Sequence, residues 1–230
     1  MLSFLNSAVS LLYPESCVVC GADGDVLCMS CTGEFRMVED DAVCPVCGRW
    51  LGTRIVCGEC SGARRWFVRG IYGFYYEGKL REAIHAFKFS GAKKVGRRLV
   101  RIVEDRIRAL SSGFDCVVPV PVSEKRLKER GFNQSFIISN EIKDITGIDL
   151  VHHALVKRVP TKDQFSLSRR ERARNIKGAF QVRDTSCVAG RRILLVDDLF
   201  TTGYTAGEAA RTLRTAGCRD VVLFALARTP

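Results

Sequence analysis

Residues 193–205 read Ile-Leu-Leu-Val-Asp-Asp-Leu-Phe-Thr-Thr-Gly-Tyr-Thr. Two adjacent carboxylates follow an apolar run and precede a turn of small, hydroxylated residues. The run Ile193–Val196 has the length and composition of a buried strand. The pattern predicts that this strand ends at Val196, with Asp197 and Asp198 at its carboxyl edge. Thr201, Thr202 and Gly203 then form a tight turn into a helix carrying Ala206, Ala209, Ala210, Leu213 and Ala216. Unpaired N–H groups at a helix start carry partial positive charge and suit a phosphate. The hydroxyls of Thr201, Thr202 and Thr205 add donors, and Gly203 lets backbone approach closely. Two carboxylates facing that phosphate would repel it. Facing a diol, each would accept hydrogen bonds from hydroxyls, so the chemistry encoded is recognition of a ribose 5-phosphate group.

A second constellation lies nearer the N-terminus. Eight of the eleven cysteines form four Cys-x-x-Cys pairs: Cys17/Cys20, Cys28/Cys31, Cys44/Cys47 and Cys57/Cys60. Each pair presents two sulfurs to one tetrahedral ion, and two pairs complete a closed structural Zn²⁺ site. Gly21 and Gly48 follow the second cysteine of a pair, where a knuckle needs dihedrals that other residues avoid. Two partitions are open. The sequential one puts Cys17, Cys20, Cys28 and Cys31 on one ion and Cys44, Cys47, Cys57 and Cys60 on the other, a double zinc ribbon. The cross-braced one joins the first pair with the third and the second with the fourth. Disulfides would need an oxidising compartment, and no secretory signal is expected here. About 50 residues bury too little apolar surface to fold alone, and metal binding would add about 10–16 kcal/mol per site. Cys116, Cys187 and Cys218 sit singly among apolar residues and are expected in the core.

Composition sets the frame. At 230 residues and 47% hydrophobic, the chain can build a sizeable core and is not disordered. Leu2, Leu5, Val9 and Leu12 are spaced for a short helix, too short to span a bilayer; no membrane insertion and a cytoplasmic location are expected. The formal charge of +11 is uneven: residues 1–65 hold 5 basic and 8 acidic side chains, residues 66–230 hold 31 and 17. The basic part attracts polyanions such as phosphorylated ligands or nucleic acid, although solvated Lys/Arg helix faces give the same excess.

Alternating patterns predict a mainly parallel α/β sheet. Strands are expected at Ile71–Tyr76, Val117–Val122, Ile193–Val196 and Val221–Ala227. Helix faces are expected at Leu80, Ile84 and Phe87, at Leu99 through Leu110, and at Ile138, Ile142 and Ile145, the last stopped by Gly147. Ser61–Arg65 reads as a linker between a cysteine-rich domain, 1–65, and a second domain, 66–230. Two polar segments share the carboxyl edge with Asp197: a basic loop over Lys125–Gly131, and a long arginine-rich stretch over 157–175. Ligands of parallel sheets bind at that edge.

The Asp-Asp-x-x-Thr-Thr-Gly-x-Thr run resembles the phosphoribosyl-pyrophosphate (PRPP) loop of type I phosphoribosyltransferases. The cysteine pairs together with Pro119-Val-Pro121, Arg130-Gly-Phe-Asn-Gln134, Lys162-x-Gln164, Arg172-x-x-Asn-x-x-x-Ala-Phe180 and Ala227-Arg228 resemble the bacterial late-competence ComF family across nearly the whole chain. The resemblance implies a zinc ribbon joined to a type I phosphoribosyltransferase domain. It gives Asp197 and Asp198 the ribose hydroxyls, and Thr201, Thr202, Gly203 and Thr205 the 5′-phosphate. It also implies a pyrophosphate loop at Lys125–Gly131 and a lid across Thr161–Asn175. Cations in a closed site stabilise the departing pyrophosphate, which makes Arg126, Arg130, Arg169 and Arg172 the catalytic candidates, with Mg²⁺ held mainly by PRPP. The implied setting is DNA uptake, with helicase and recombination partners. Three readings remain open: a Mg-dependent transferase, a non-catalytic PRPP or nucleotide sensor, and a single-stranded DNA-binding protein using the basic face. Few aromatics accompany the basic loops, Phe132 and Phe165 being the best placed for stacking.

Overall fold

Ile193, Leu194, Leu195 and Val196 are all buried, alternate residues packing on opposite faces. That is the signature of a parallel strand covered on both sides. The computed structural model describes residues 15–63, 65–89, 92–158 and 176–230. Six strands fall within them: β1 (Arg69–Tyr75), β2 (Cys116–Pro119), β3 (Leu155–Lys157), β4 (Phe180–Val182), β5 (Arg192–Phe200) and β6 (Asp220–Arg228). The main sheet runs β1-β6-β5-β2, with every neighbouring pair parallel. β3 and β4 form a separate antiparallel pair.

Eight α-helices are described: α1 (Met29–Thr32), α2 (Gly58–Ser61), α3 (Gly78–Phe89), α4 (Lys93–Ile102), α5 (Glu104–Arg108), α6 (Glu124–Arg130), α7 (Gln134–Thr146) and α8 (Tyr204–Thr215). On one face of the sheet, Ile84, Phe87, Leu99, Ile107, Ile138 and Ile142 pack against Leu194, Val196 and Phe224. On the other, Ala206, Ala209, Ala210 and Leu213 of α8 pack against Ile193, Leu195, Val221 and Leu223. Gly147 ends α7 in the left-handed conformation (φ 75°), as its position predicts. Among the described residues no helix is long and apolar enough to cross a membrane. The helix expected from Leu2 to Leu12 lies outside the described residues.

Four expectations are corrected. β5 does not end at Val196; it continues to Phe200, paired with β6 as far as Phe200–Arg228. β2 stops at Pro119 rather than Val122, because Pro119 and Pro121 lack an N–H and Val120 makes the last ladder bond, N to Val196 O, 2.8 Å. The helix face from Leu99 to Leu110 breaks at Val103 (φ −105°, ψ 25°) into α4 and α5. The basic segment Lys125–Gly131 is a helix, α6, capped by the Ser123 hydroxyl and closed by left-handed Gly131 (φ 76°). The β3–β4 pair carries no sequence signal strong enough to have been predicted.

The cysteine-rich part packs directly on this sheet. Residues 36–38 run antiparallel along the outer edge of β1, with Val38 N to Gly73 O at 3.0 Å and Tyr75 N to Arg36 O at 2.9 Å. An otherwise bare strand edge is thereby covered.

Candidate functional site

β2 stops at Pro119 while β5 runs on beside β6, so Asp197 and Asp198 emerge into a cleft of ≈ 170 Å³ on the β2 side. Both are half-buried. Asp197 Oδ1 accepts from the Ser135 hydroxyl (3.2 Å) and from the backbone N–H of Asp198 (2.9 Å). Asp198 Oδ2 meets Lys88 Nζ at 3.0 Å, on a lysine only 11% exposed. Burial, with the Asp198 charge adding to it, pushes the Asp197 carboxyl up to about 7. Burial acts on Asp198 in the same direction, but Lys88, helped by Arg130, outweighs it and holds that carboxyl below its ordinary value.

Thr201, Gly203 and Thr205 line the same cleft beside the acids. Gly203 has φ +78°, and a Cβ there would stand 2.6 Å from Arg65 Nη1 and 2.7 Å from the Phe200 ring. Both the left-handed backbone and the close approach require glycine. Gly203 is also the N-cap of α8 and makes no side-chain cap hydrogen bond, so the helix start lies at the turn. Thr202 does not line the acid-bearing cleft. It lines the adjoining one, and its carbonyl accepts from Arg65 Nη1 at 3.0 Å.

The opposite wall is cationic. Arg126 and Arg130, four residues apart, share one face of α6 and line the cleft, as do Lys88 and Lys157. Arg130 Nη1 donates to Gln134 Oε1 (3.2 Å) and its guanidinium lies 5.0 Å from the centre of the Phe89 ring. Gln134 is 1% exposed, and its Nε2 is buried without a partner. Lys125 instead pairs with Glu129 on the solvent side. Arg169, Arg172 and the expected lid Thr161–Asn175 lie outside the described residues. Sequence reasoning missed Lys88, Ser135 and Arg65. Lys88 adjoins the apolar stripe of α3, and a lysine on the border of a buried helix face is the only signal it left. Arg65 was hidden in an apparent linker.

The cysteines assemble sequentially. The sulfurs of Cys17, Cys20, Cys28 and Cys31 lie within 4.8 Å of one another, and so do those of Cys44, Cys47, Cys57 and Cys60. The cross-braced alternative is excluded. Cys20 and Cys28 sulfurs are 3.6 Å apart, Cys47 and Cys57 sulfurs 3.7 Å. A tetrahedron with metal–sulfur bonds of about 2.3 Å has edges of about 3.8 Å, while a disulfide would be about 2.0 Å; all eight thiols are free of disulfides. Gly21 (φ 76°) and Gly48 (φ 70°) turn the knuckles. Cys28 N–H points to Cys17 Sγ (3.5 Å) and Cys57 N–H to Cys44 Sγ (3.4 Å), as thiolate ligands require. The donor sets fit Zn²⁺ at two structural sites. Cys116 and Cys218 are buried core residues as expected; Cys187 is half-buried.

Residues 8–61 match the double zinc ribbon domain family. The DNA utilization protein YhgH of Escherichia coli K12 is 31% identical, with 88% of this chain covering 90% of that one. Competence protein F of Haemophilus influenzae is 27% identical, over 87% of this chain and 96% of that one. Among solved structures, adenine phosphoribosyl transferase from Trypanosoma brucei in complex with AMP, pyrophosphate and ribose-5-phosphate aligns with a TM-score of 0.38 and 14% identity, covering 61% of this chain and 55% of that one. A cysteine-rich double ribbon preceding a parallel α/β sheet, with near full-length likeness to these relatives, places the chain in the ComF family of competence and DNA-utilisation proteins.

Proposed function

We propose that the chain is a phosphoribosyltransferase-type protein that binds PRPP with Mg²⁺ in the cleft at Asp197–Thr205 and acts in DNA uptake or utilisation in the cytoplasm. The observation that carries this reading is one cleft holding paired carboxylates between the start of α8 and a cationic wall. A ribose diol would donate to Asp197 and Asp198. Its 5′-phosphate would take the α8 N–H groups and the Thr201 and Thr205 hydroxyls, with Thr202 serving through the turn's backbone. Pyrophosphate would meet Arg126 and Arg130, with Arg169 and Arg172 as the remaining candidates. Mg²⁺ would be held chiefly by PRPP and would supply positive charge to the leaving group. In transfer, the bond from ribose C1′ to pyrophosphate breaks, an acceptor nitrogen bonds C1′, and the acceptor gives up its proton. The cations stabilise charge gathering on the leaving group.

The DNA setting is carried over from the names of the relatives, and the basic excess over residues 66–230 supports contact with single-stranded DNA. Titration calorimetry with PRPP and Mg²⁺ tests the central reading. Binding that disappears in the Asp197→Ala, Asp198→Ala double variant, with its melting transition retained, supports it. Wild-type protein giving no heat with or without Mg²⁺ removes the transferase and the sensor together.

A further inference from the structure

Arg228 closes β6 and is 5% exposed, yet no carboxylate pairs with it among the described residues and its Nε is buried without a partner. Its guanidinium lies 5.9 Å from the centre of the Tyr75 ring. A buried guanidinium lacking a counter-charge is destabilising, so a negative group must lie within reach. The Arg228 stem lies against the second cysteine cluster: a Cβ on Gly48, the knuckle glycine after Cys47, would stand 3.0 Å from Arg228 Cδ. Arg228 and Cys47 line one cleft, joined there by Arg65, whose Nε is likewise buried and unpartnered. Arg49, the third guanidinium, is already paired with Glu59 at 3.0 Å. Four thiolates around Zn²⁺ carry a net charge of −2, which is the missing counter-charge.

The other end of this contact is the phosphate turn. Arg65 Nη1 holds the Thr202 carbonyl at 3.0 Å and packs on Gly203. Tyr72, whose hydroxyl donates to Val46 O (2.7 Å) inside the second knuckle, stacks edge-on against Phe200, the residue before Thr201. Among the described residues the first cluster has no such link. Its neighbours Leu27 and Phe35 pack on the opposite side of the sheet, with α3 and α4.

We infer that Arg228 and Arg65 form a cationic bridge between the second tetrathiolate and the Thr201–Gly203 turn, so that metal at the second cluster, and not at the first, fixes the geometry of the turn. Arg228 is the counter-charge that retains the metal. Arg65 is a positioning residue that passes the constraint to the loop.

The test uses zinc-loaded, full-length protein. With a chromogenic chelator, Arg228→Gln should release one of two zinc equivalents at least tenfold faster than wild type. In a Cys20→Ser background, which keeps only the second site, the remaining equivalent should show the same acceleration. Arg228→Lys, which restores charge, should recover part of it and serves if the glutamine variant does not fold. Hydrogen exchange then reads the turn. Amides of 201–205 should exchange at least tenfold faster in Arg65→Ala and after chelation of the second zinc, and at the wild-type rate in Cys20→Ser. Unchanged zinc release in both Arg228 variants, or turn exchange indifferent to the second zinc, overturns the inference. Neither readout needs a ligand in the cleft, so a cleft that takes no PRPP leaves this test intact.

Discussion

Replacing Asp197 with asparagine should stabilise the protein at pH 8 while removing its affinity for PRPP. The Asp197 carboxyl is lifted from 3.8 to about 7 in the folded chain, first by burial and then by the charge of Asp198. The unfolded chain ionises near the ordinary value, so between about pH 4 and 7 the folded state holds a proton that the unfolded state has lost. Stability therefore falls as pH rises through that window, and the full cost stands above pH 7. A lift of that size corresponds to about 4 kcal/mol. Solvent reaches the half-buried carboxyl through the cleft and screens part of it, leaving about 2 kcal/mol. Asparagine keeps an oxygen to accept from Ser135 and from the Asp198 N–H, so little is lost in exchange. For a protein of this length, about 2 kcal/mol raises Tm by about 4–8 °C. Thermal melts of zinc-loaded wild type and Asp197→Asn at pH 8 and pH 5.5 give the check, with about half the gain expected at the lower pH. A variant no more stable than wild type at pH 8, or a gain that fails to shrink at pH 5.5, refutes the electrostatic reasoning.

Three further outcomes follow from the same geometry. Lys88→Met leaves Asp198 beside Asp197 without its cation; calorimetry should show PRPP affinity down at least tenfold, and unchanged affinity would place Lys88 outside the site. Gly203→Ala forces a Cβ into Arg65 and Phe200 at φ +78° and should cost about 1–3 kcal/mol, seen in urea denaturation; a neutral result means the turn is not held as described. Affinity for a single-stranded oligonucleotide, followed by fluorescence anisotropy, should fall steeply and linearly on a log–log salt plot if phosphates are the contact; a flat response counts against DNA binding through the basic face.

The sequence showed the acids, the turn and the cysteine pairs because each is local. Asp197 through Thr205 is one contiguous run, and Cys-x-x-Cys fixes two ligands within a single bend. What stayed hidden depends on separations that no local pattern encodes. Lys88 reaches Asp198 across 110 positions, and Arg65 reaches Thr202 across 137. The strand edge at Pro119 shows the same limit from another side. Its two prolines were visible, but their effect, leaving β5 unaccompanied so that its acids face a cleft, follows only from the pairing of β2 with β5. The cysteine clusters look equivalent in sequence and are not so in the fold. All four ligands of the second are buried in the core that holds α8, whereas Cys20 of the first is exposed and Cys28 is half-buried. Two copies of one metal-binding pattern thus pack differently: the first against the face of the sheet that carries α3 and α4, the second in the core that holds α8 and Phe200, beside the Thr201–Gly203 turn.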